Sequence, residues 1–266
     1  MANGTNGHVV RDTLSCMGGS VYPWLGTFKL SGRHWIRTTG NPHPPRHGNC
    51  LFVCTYNCRT IASEQDLRTL LHRSRNIKYD IIALQETKGK TETIRKTDHN
   101  ELLIIGAKVD RRNIGGVGFL VNSTVHHLVD SYKIISPRKA VSEVKDQGNI
   151  SIINGYAPTS AATDEEKEEF YELLERTVND EKSYYKVVVG DFNATVGTND
   201  CDGWRLGPHG SSSRNDNGTR LIDFLSACRL LHGNSMFEKP SHRQWTWESP
   251  NGEVRSEIDH VLVSRR

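Results

Sequence analysis

From residue 50 onward, short apolar runs alternate with amphipathic stretches, so strands and helices are expected to alternate along the chain. Residues 51–57 are β-branched and aromatic, which suits a strand. Ser63-Glu64-Gln65-Asp66 has the form of a helix capping box, and Leu67, Leu70 and Leu71 follow on one helical face. Residues 81–86 read as a short buried strand ending on a carboxylate, and residues 115–121 and 150–156 as two more strands. Thr163-Asp164-Glu165-Glu166 opens a second helix, with Phe170, Leu173, Leu174 and Val178 at helical spacing. Val187-Val188-Val189-Gly190 is an interior strand that runs into Asp191-Phe192-Asn193. A polar, Gly- and Ser-rich loop follows over about residues 199–217, and Leu221, Phe224, Leu225 and Cys228 mark a third helix. Trp245-Thr246-Trp247 and residues 258–263 flank Pro250-Asn251-Gly252, a strong hairpin signal.

This mixture of crossovers and hairpins predicts an α/β fold, a layered sandwich of two mixed sheets flanked by helices. Residues 1–48 stand apart. They show no helical or strand period, are rich in Gly, Asn, Pro and His, and read as a disordered leader before a domain over 49–266. The net charge of +3 is concentrated there, with five basic groups against one acid, so the domain itself is close to neutral. Any basic surface for nucleic acid must therefore be local. No apolar run approaches the ~20 residues needed to cross a membrane, and the N-terminus lacks the order of a signal peptide. An intracellular protein is expected, with the nucleus compatible. Cys50, Cys54 and Cys58 lie four apart on a strand-like segment, ~13 Å from one to the next, too far to share an ion. Free thiols in a reducing compartment are expected.

Polar residues recur where the apolar strands finish: Asn57, Glu86, Tyr156, Asp191 with Asn193, and Asp259. Asp191 and Asn193 are two apart, so on an extended backbone they point the same way; the alternative at that position is an Asx-type turn. In layered α/β folds strand ends gather along one rim, where these groups would face a common cleft. The set holds carboxylates and amides without clustered His or Cys, which suits Mg²⁺ or Mn²⁺ rather than Zn²⁺. Such a site has what phosphodiester hydrolysis needs, a Lewis acid and a means of positioning water.

The segments Thr55-Tyr56-Asn57, Leu84-Gln85-Glu86-Thr87, Asn154-Gly155-Tyr156-Ala157-Pro158, Gly190-Asp191-Phe192-Asn193 and Ile258-Asp259-His260 occur in an order that resembles the endonuclease/exonuclease/phosphatase superfamily. Ile114-Gly115-Gly116-Val117-Gly118-Phe119, His232-Gly233-Asn234-Ser235 and Trp245-Thr246-Trp247-Glu248-Ser249-Pro250-Asn251-Gly252 narrow the likeness. The narrower likeness is to the endonuclease domain of RTE-like non-LTR retrotransposons and the related craniofacial development proteins. The resemblance covers about residues 50–266. It implies Glu86 as principal metal ligand with Asn57 beside it, and Tyr156 on the scissile phosphate. It implies Asp191 as the group that orients or deprotonates water, Asn193 as donor to a phosphate oxygen, and Asp259 as the partner of a later histidine. Thr246 and Trp247 would form part of the wall that receives a nucleotide; ordinary hairpin packing is the alternative for the tryptophans.

The chain departs from the family at its end, where Arg266 comes before any Ser-Asp-His motif. His260 does not replace it, because on a strand it points away from Asp259. The expectation is a domain short of its last strand, with an open edge beside the Asp259 strand and slow turnover. Two function classes follow: a Mg²⁺-dependent nuclease that nicks DNA, and a non-catalytic fragment or nucleic-acid-binding module. Phosphoinositide and sphingomyelin phosphodiesterases share the core motifs, but the retrotransposon-like segments favour DNA.

Overall fold

Alternation along the strands sorts the protein into four layers, helix on sheet on sheet on helix. The computed structural model describes residues 29–31, 34–36, 51–109, 113–145, 148–197, 203–210 and 213–264. Within residues 1–48, which show no strand period in sequence, β1 (Lys29–Ser31) and β2 (His34–Ile36) pair antiparallel in a sheet of their own.

The first large sheet holds β3 (Val53–Asn57), β4 (Ile81–Gln85), β5 (Thr93–Lys96), β6 (Leu102–Ile105) and β7 (Val117–Val121), in the order β3-β4-β7-β6-β5. Helix α1 (Glu64–Ser74) links the parallel pair β3 and β4. It starts on the expected capping box: the Ser63 hydroxyl accepts from the Asp66 N–H while the Asp66 carboxylate accepts from the Ser63 N–H. The second sheet holds β8 (Val129–Ser136), β9 (Lys139–Lys145), β10 (Asn149–Tyr156), β11 (Tyr185–Asp191), β12 (Leu230–His232) and, after the short β13 (Trp247–Glu248) and β14 (Arg255–Ser256), β15 (Asp259–Ser264). Its order is β12-β15-β11-β10-β9-β8. Helix α2 (Asp164–Asp180) connects β10 to β11, again a parallel pair, and α3 (Asp216–Ala227) packs beside it.

Side-chain parity explains the layers. Val53, Ile81, Ala83 and Phe119 of the first sheet meet Ile150, Ile152, Val187, Val189 and Val261 of the second in the inter-sheet core. The opposite parity faces the helices: Ile82 and Leu84 pack with Leu67 and Leu70 of α1, and Ile153 and Val188 with Phe170, Leu174 and Leu221 of α2 and α3. Each such buried aliphatic side chain contributes about 1.5–3 kcal/mol of transfer free energy.

Two expectations are corrected. The Pro250-Asn251-Gly252 turn does join a hairpin, but β13 pairs with β14, and β15 instead inserts between β11 and β12. The Asp259 strand is therefore interior, and no open edge runs along it; β12 takes the edge. Strands β5, β6, β8, β9 and β12 are additional to the strands that the sequence pattern predicts. Among the described residues no helix is long and apolar enough to cross a membrane. Cys54 and Cys58 take part in no disulfide among the described residues, and Cys50 lies outside them.

Candidate active site

Counting in steps of two from the inter-sheet core leads directly to the polar cluster. Val53 and Thr55 continue to Asn57, Ile152 and Asn154 to Tyr156, Val187 and Val189 to Asp191, and Val263 and Val261 back to Asp259. All four side chains emerge where the sandwich opens, at the carboxyl ends of the two parallel pairs. The registers Asn57↔Gln85, Tyr156↔Asp191 and Asp191↔Asp259 set them level with one another. Close approach of β10 and β11 just below the rim requires glycine: a Cβ on Gly190 would lie 1.8 Å from the Gly155 carbonyl oxygen.

Asn57 is the hinge pin of the cluster. Its Nδ2 donates to Glu86 Oε1 at 2.8 Å and to Asp191 Oδ2 at 2.9 Å, while its Oδ1 accepts from the Arg59 N–H at 3.0 Å. That amide orientation follows from its neighbours, two acceptors on one side and a donor on the other. Asn57 thus presents N–H groups to the acids and holds Glu86 in place, rather than offering an oxygen beside it. Glu86 lies one residue past β4 in a left-handed conformation, φ 51°, and the following backbone is tied down by Thr87 N–H to Gly116 O and Lys88 N–H to Gly115 O. Its Oε2 faces Lys88 Nζ at 3.4 Å. Glu86 is partly open to solvent, whereas Asp191 and Asp259 are buried.

Asn193 reaches the site differently from the strand geometry expected. It leaves β11 in a left-handed turn, φ 48°, and its N–H donates to Asp191 Oδ1 at 3.0 Å, the Asx-type alternative. Its side-chain Nδ2 donates to Ala157 O at 3.0 Å, which uses one of two amide hydrogens. Two residues missed in the sequence support it: Asn215 and Asn217 both donate from Nδ2 to Asn193 O at 3.1 Å. They end the Gly- and Ser-rich loop, and Asn215 is the N-cap of α3, the one signal that marked it.

Thr246 is buried beneath Asp259. Its hydroxyl accepts from the N–H groups of Ile258 and Asp259 at 3.0 and 3.2 Å, and it also bonds the Asp259 carboxyl. Of the two residues placed in the nucleotide wall, only Trp247 is exposed. Asn234 supports the same strand, donating to Asp259 O at 2.9 Å and accepting from Val261 N–H at 2.8 Å. His260 turns away from Asp259, as parity requires, into a buried pair with His232.

Burial dominates the electrostatics. It pushes the Asp191 carboxyl up to about 6 from its ordinary 3.8, with Glu86 adding to the rise and the Asn57 and Asn193 donors opposing it. Asp259 is pushed well above the ordinary range, by burial first and then by the neighbouring Asp191. The Tyr156 phenol is likewise raised by burial and by Glu86 and Asp191, so it remains a neutral hydroxyl; the Arg138 guanidinium lies 5.1 Å from its ring centre. Asp259 Oδ1 is buried without a hydrogen-bond partner among the described residues. Among those residues no three His, Cys, Asp or Glu side chains gather into a closed ligand cage. An all-oxygen set with one accessible carboxylate still fits Mg²⁺, which keeps several waters and needs only one or two carboxylates beside a phosphate.

Both the sequence and the fold are similar to those of known proteins. Craniofacial development protein 2 from Bos taurus is 31% identical over 218 residues, covering 80% of this chain and 36% of that protein. The protein of that name from Tragulus javanicus is also 31% identical over 218 residues, with 37% of its length covered. The chain thus spans little more than a third of these relatives. A 3'-5' exonuclease (NExo) from Neisseria meningitidis shares the fold with a TM-score of 0.58 at 19% identity, over 80% of this chain and 86% of that one. The 3' phosphatase NExo from Neisseria, bound to product DNA hairpin, aligns with a TM-score of 0.54 at 18% identity over 80% and 86%. The model of the Endonuclease/Exonuclease/phosphatase family matches residues 54–266, from the first strand of the sandwich through its last, and the chain belongs to that family.

Proposed function

We propose that this domain is a Mg²⁺- or Mn²⁺-dependent phosphodiesterase that nicks DNA, an endonuclease of the retrotransposon type. The observation that carries the proposal is the Asn57 amide held between Glu86 and Asp191, which joins an accessible carboxylate from one sheet to a buried one from the other. Glu86 would hold the ion together with water and a phosphate oxygen. A divalent ion bound there supplies charge stabilisation to the phosphate in the transition state. Asp191, raised by burial to about 6, is ionised at neutral pH and close to the ideal basicity for accepting a proton from the attacking water. Its two oxygens each accept one N–H already, from Asn57 and Asn193, which fixes the direction of the remaining lone pairs. The second amide hydrogen of Asn193 donates to a phosphate oxygen, and the neutral Tyr156 hydroxyl, which here bonds Glu86, turns to another when a phosphate binds. Thr246 aims Asp259, and Trp247 offers a stacking face at the rim.

One observation favours a second reading, a nucleic-acid-binding module without turnover: Asp259 Oδ1 lacks a donor among the described residues. Supercoiled-plasmid nicking with Mg²⁺ and with EDTA decides between them. Nicking in Mg²⁺ that EDTA abolishes supports the nuclease. Retarded migration without any nicked product, under either condition, assigns the binding module instead.

A further inference from the structure

Outside the catalytic cluster, one polar network interrupts the apolar layer between the sheets. Gln85 and Asn154 are fully buried, and Thr55 nearly so. Asn154 Nδ2 donates to Leu84 O and Gly118 O, both at 2.9 Å, and Asn154 Oδ1 accepts from Gln85 Nε2 at 2.6 Å. Gln85 Nε2 also donates to Ala83 O at 3.2 Å, and Gln85 Oε1 accepts from the Thr55 hydroxyl at 3.1 Å. The two amides therefore use both of their hydrogens and one oxygen each, with the orientation of each amide set by carbonyl acceptors on the nitrogen side.

We infer that Gln85 and Asn154 are positioning residues, a cross-bolt that fixes the height of β10 against β4 and thereby the placement of Tyr156 opposite Glu86. Gln85 immediately precedes Glu86, and Asn154 lies two residues, ~7 Å of strand, before Tyr156. The surrounding contacts are aliphatic and can slide, because dispersion and apolar burial have no direction. Hydrogen bonds do have one. Those from Asn154 end on backbone carbonyls of two strands in the opposite sheet, so a shift of β10 by even part of a residue breaks them together. Folding alone does not call for amides here, since apolar groups of like shape fill such an interface as well. The consequence rests on the phosphodiesterase reading above, while the geometry does not.

The test pairs Gln85→Met with Asn154→Leu, near-isosteric changes that remove the bolt and keep the volume. At matched folded fraction, plasmid-nicking kcat should fall ~10²-fold with KM within ~3-fold, the penalty of about 1 Å of misplacement among reacting groups. A crystal structure of the variant should show Tyr156 displaced from Glu86 by about that distance. Unchanged kcat, or a superposable Tyr156, overturns the inference. Should the double variant fail to fold, Thr55→Val removes only the outermost bond; a several-fold lower kcat at constant KM supports the role, and parental kcat rejects it. A parent that cleaves nothing refutes the phosphodiesterase reading, and the crystallographic comparison then decides the positioning claim alone.

Discussion

Replacing Asp191 by Asn should change the pH dependence of stability in a calculable way. The Asp191 carboxyl rises from its ordinary 3.8 to about 6 because burial disfavours its charge. Its contribution is therefore fully present below pH 3.8 and lost as pH rises through 6, at about 1.4 kcal/mol per pH unit, or about 3 kcal/mol in all. Asn carries no charge and escapes that loss. It has, however, one oxygen where Asp191 has two: either Asn57 Nδ2 or the Asn193 N–H loses its acceptor and faces an NH₂ group instead. That defect costs about 1–3 kcal/mol at every pH. The variant should thus be the less stable protein near pH 4 and equal or better at pH 7.5, a swing of about 3 kcal/mol. Urea unfolding in EDTA across pH 4–8 measures it, and a stability difference that stays flat with pH would falsify the desolvation account. At pH 7.5 nicking by the same variant should fall ~10²–10⁴-fold, the usual loss for a missing base.

Three further outcomes are expected. Glu86→Gln should abolish the thermal shift produced by Mn²⁺, since Glu86 is the accessible carboxylate of the cluster; an undiminished shift would place the ion elsewhere. The buried His232–His260 pair, with Nε2 of His260 on Ala194 O, is held neutral by burial, so its contribution is lost as pH falls below about 6.5; His232→Leu with His260→Phe should remove that acid-side loss in the same urea series. A chain beginning at residue 49 should unfold at the same urea concentration as the whole chain, and a lower midpoint would show that the leader packs on the domain.

Much of this architecture is legible in local pattern. The strands through Ile82, Phe119, Ile152 and Val188 are apolar on both faces, and the helices announce themselves by caps and by leucines at helical spacing. The acids and amides stand out because they lie where such runs end. What escaped has a physical reason. β5 and β8 lie at sheet edges and bury none of their side chains fully, so they carry little alternation to detect. The partner of β13 depends on which strand inserts beside β11, a tertiary choice that the turn residues do not encode. Thr246 looked like a rim residue because it adjoins Trp247, yet strand parity sends the two in opposite directions. The Gln85–Asn154 contact spans 69 residues of sequence, and nothing local in either segment reveals it.

The Asn57–Asp191 bridge also has a temporal side. It closes a separation of 134 residues, and bringing such distant ends together takes about 4 kcal/mol of chain entropy before any contact repays it. Each βαβ unit can form from neighbours in sequence, but neither contains a complete set of reacting groups. A nascent chain that has emerged only as far as α2 carries Asn57, Glu86 and Tyr156 without Asp191 or Asp259. On the phosphodiesterase reading proposed above, chemical competence is thus deferred to the final docking of two halves, and a partly synthesised chain lacks the groups that would cut nucleic acid.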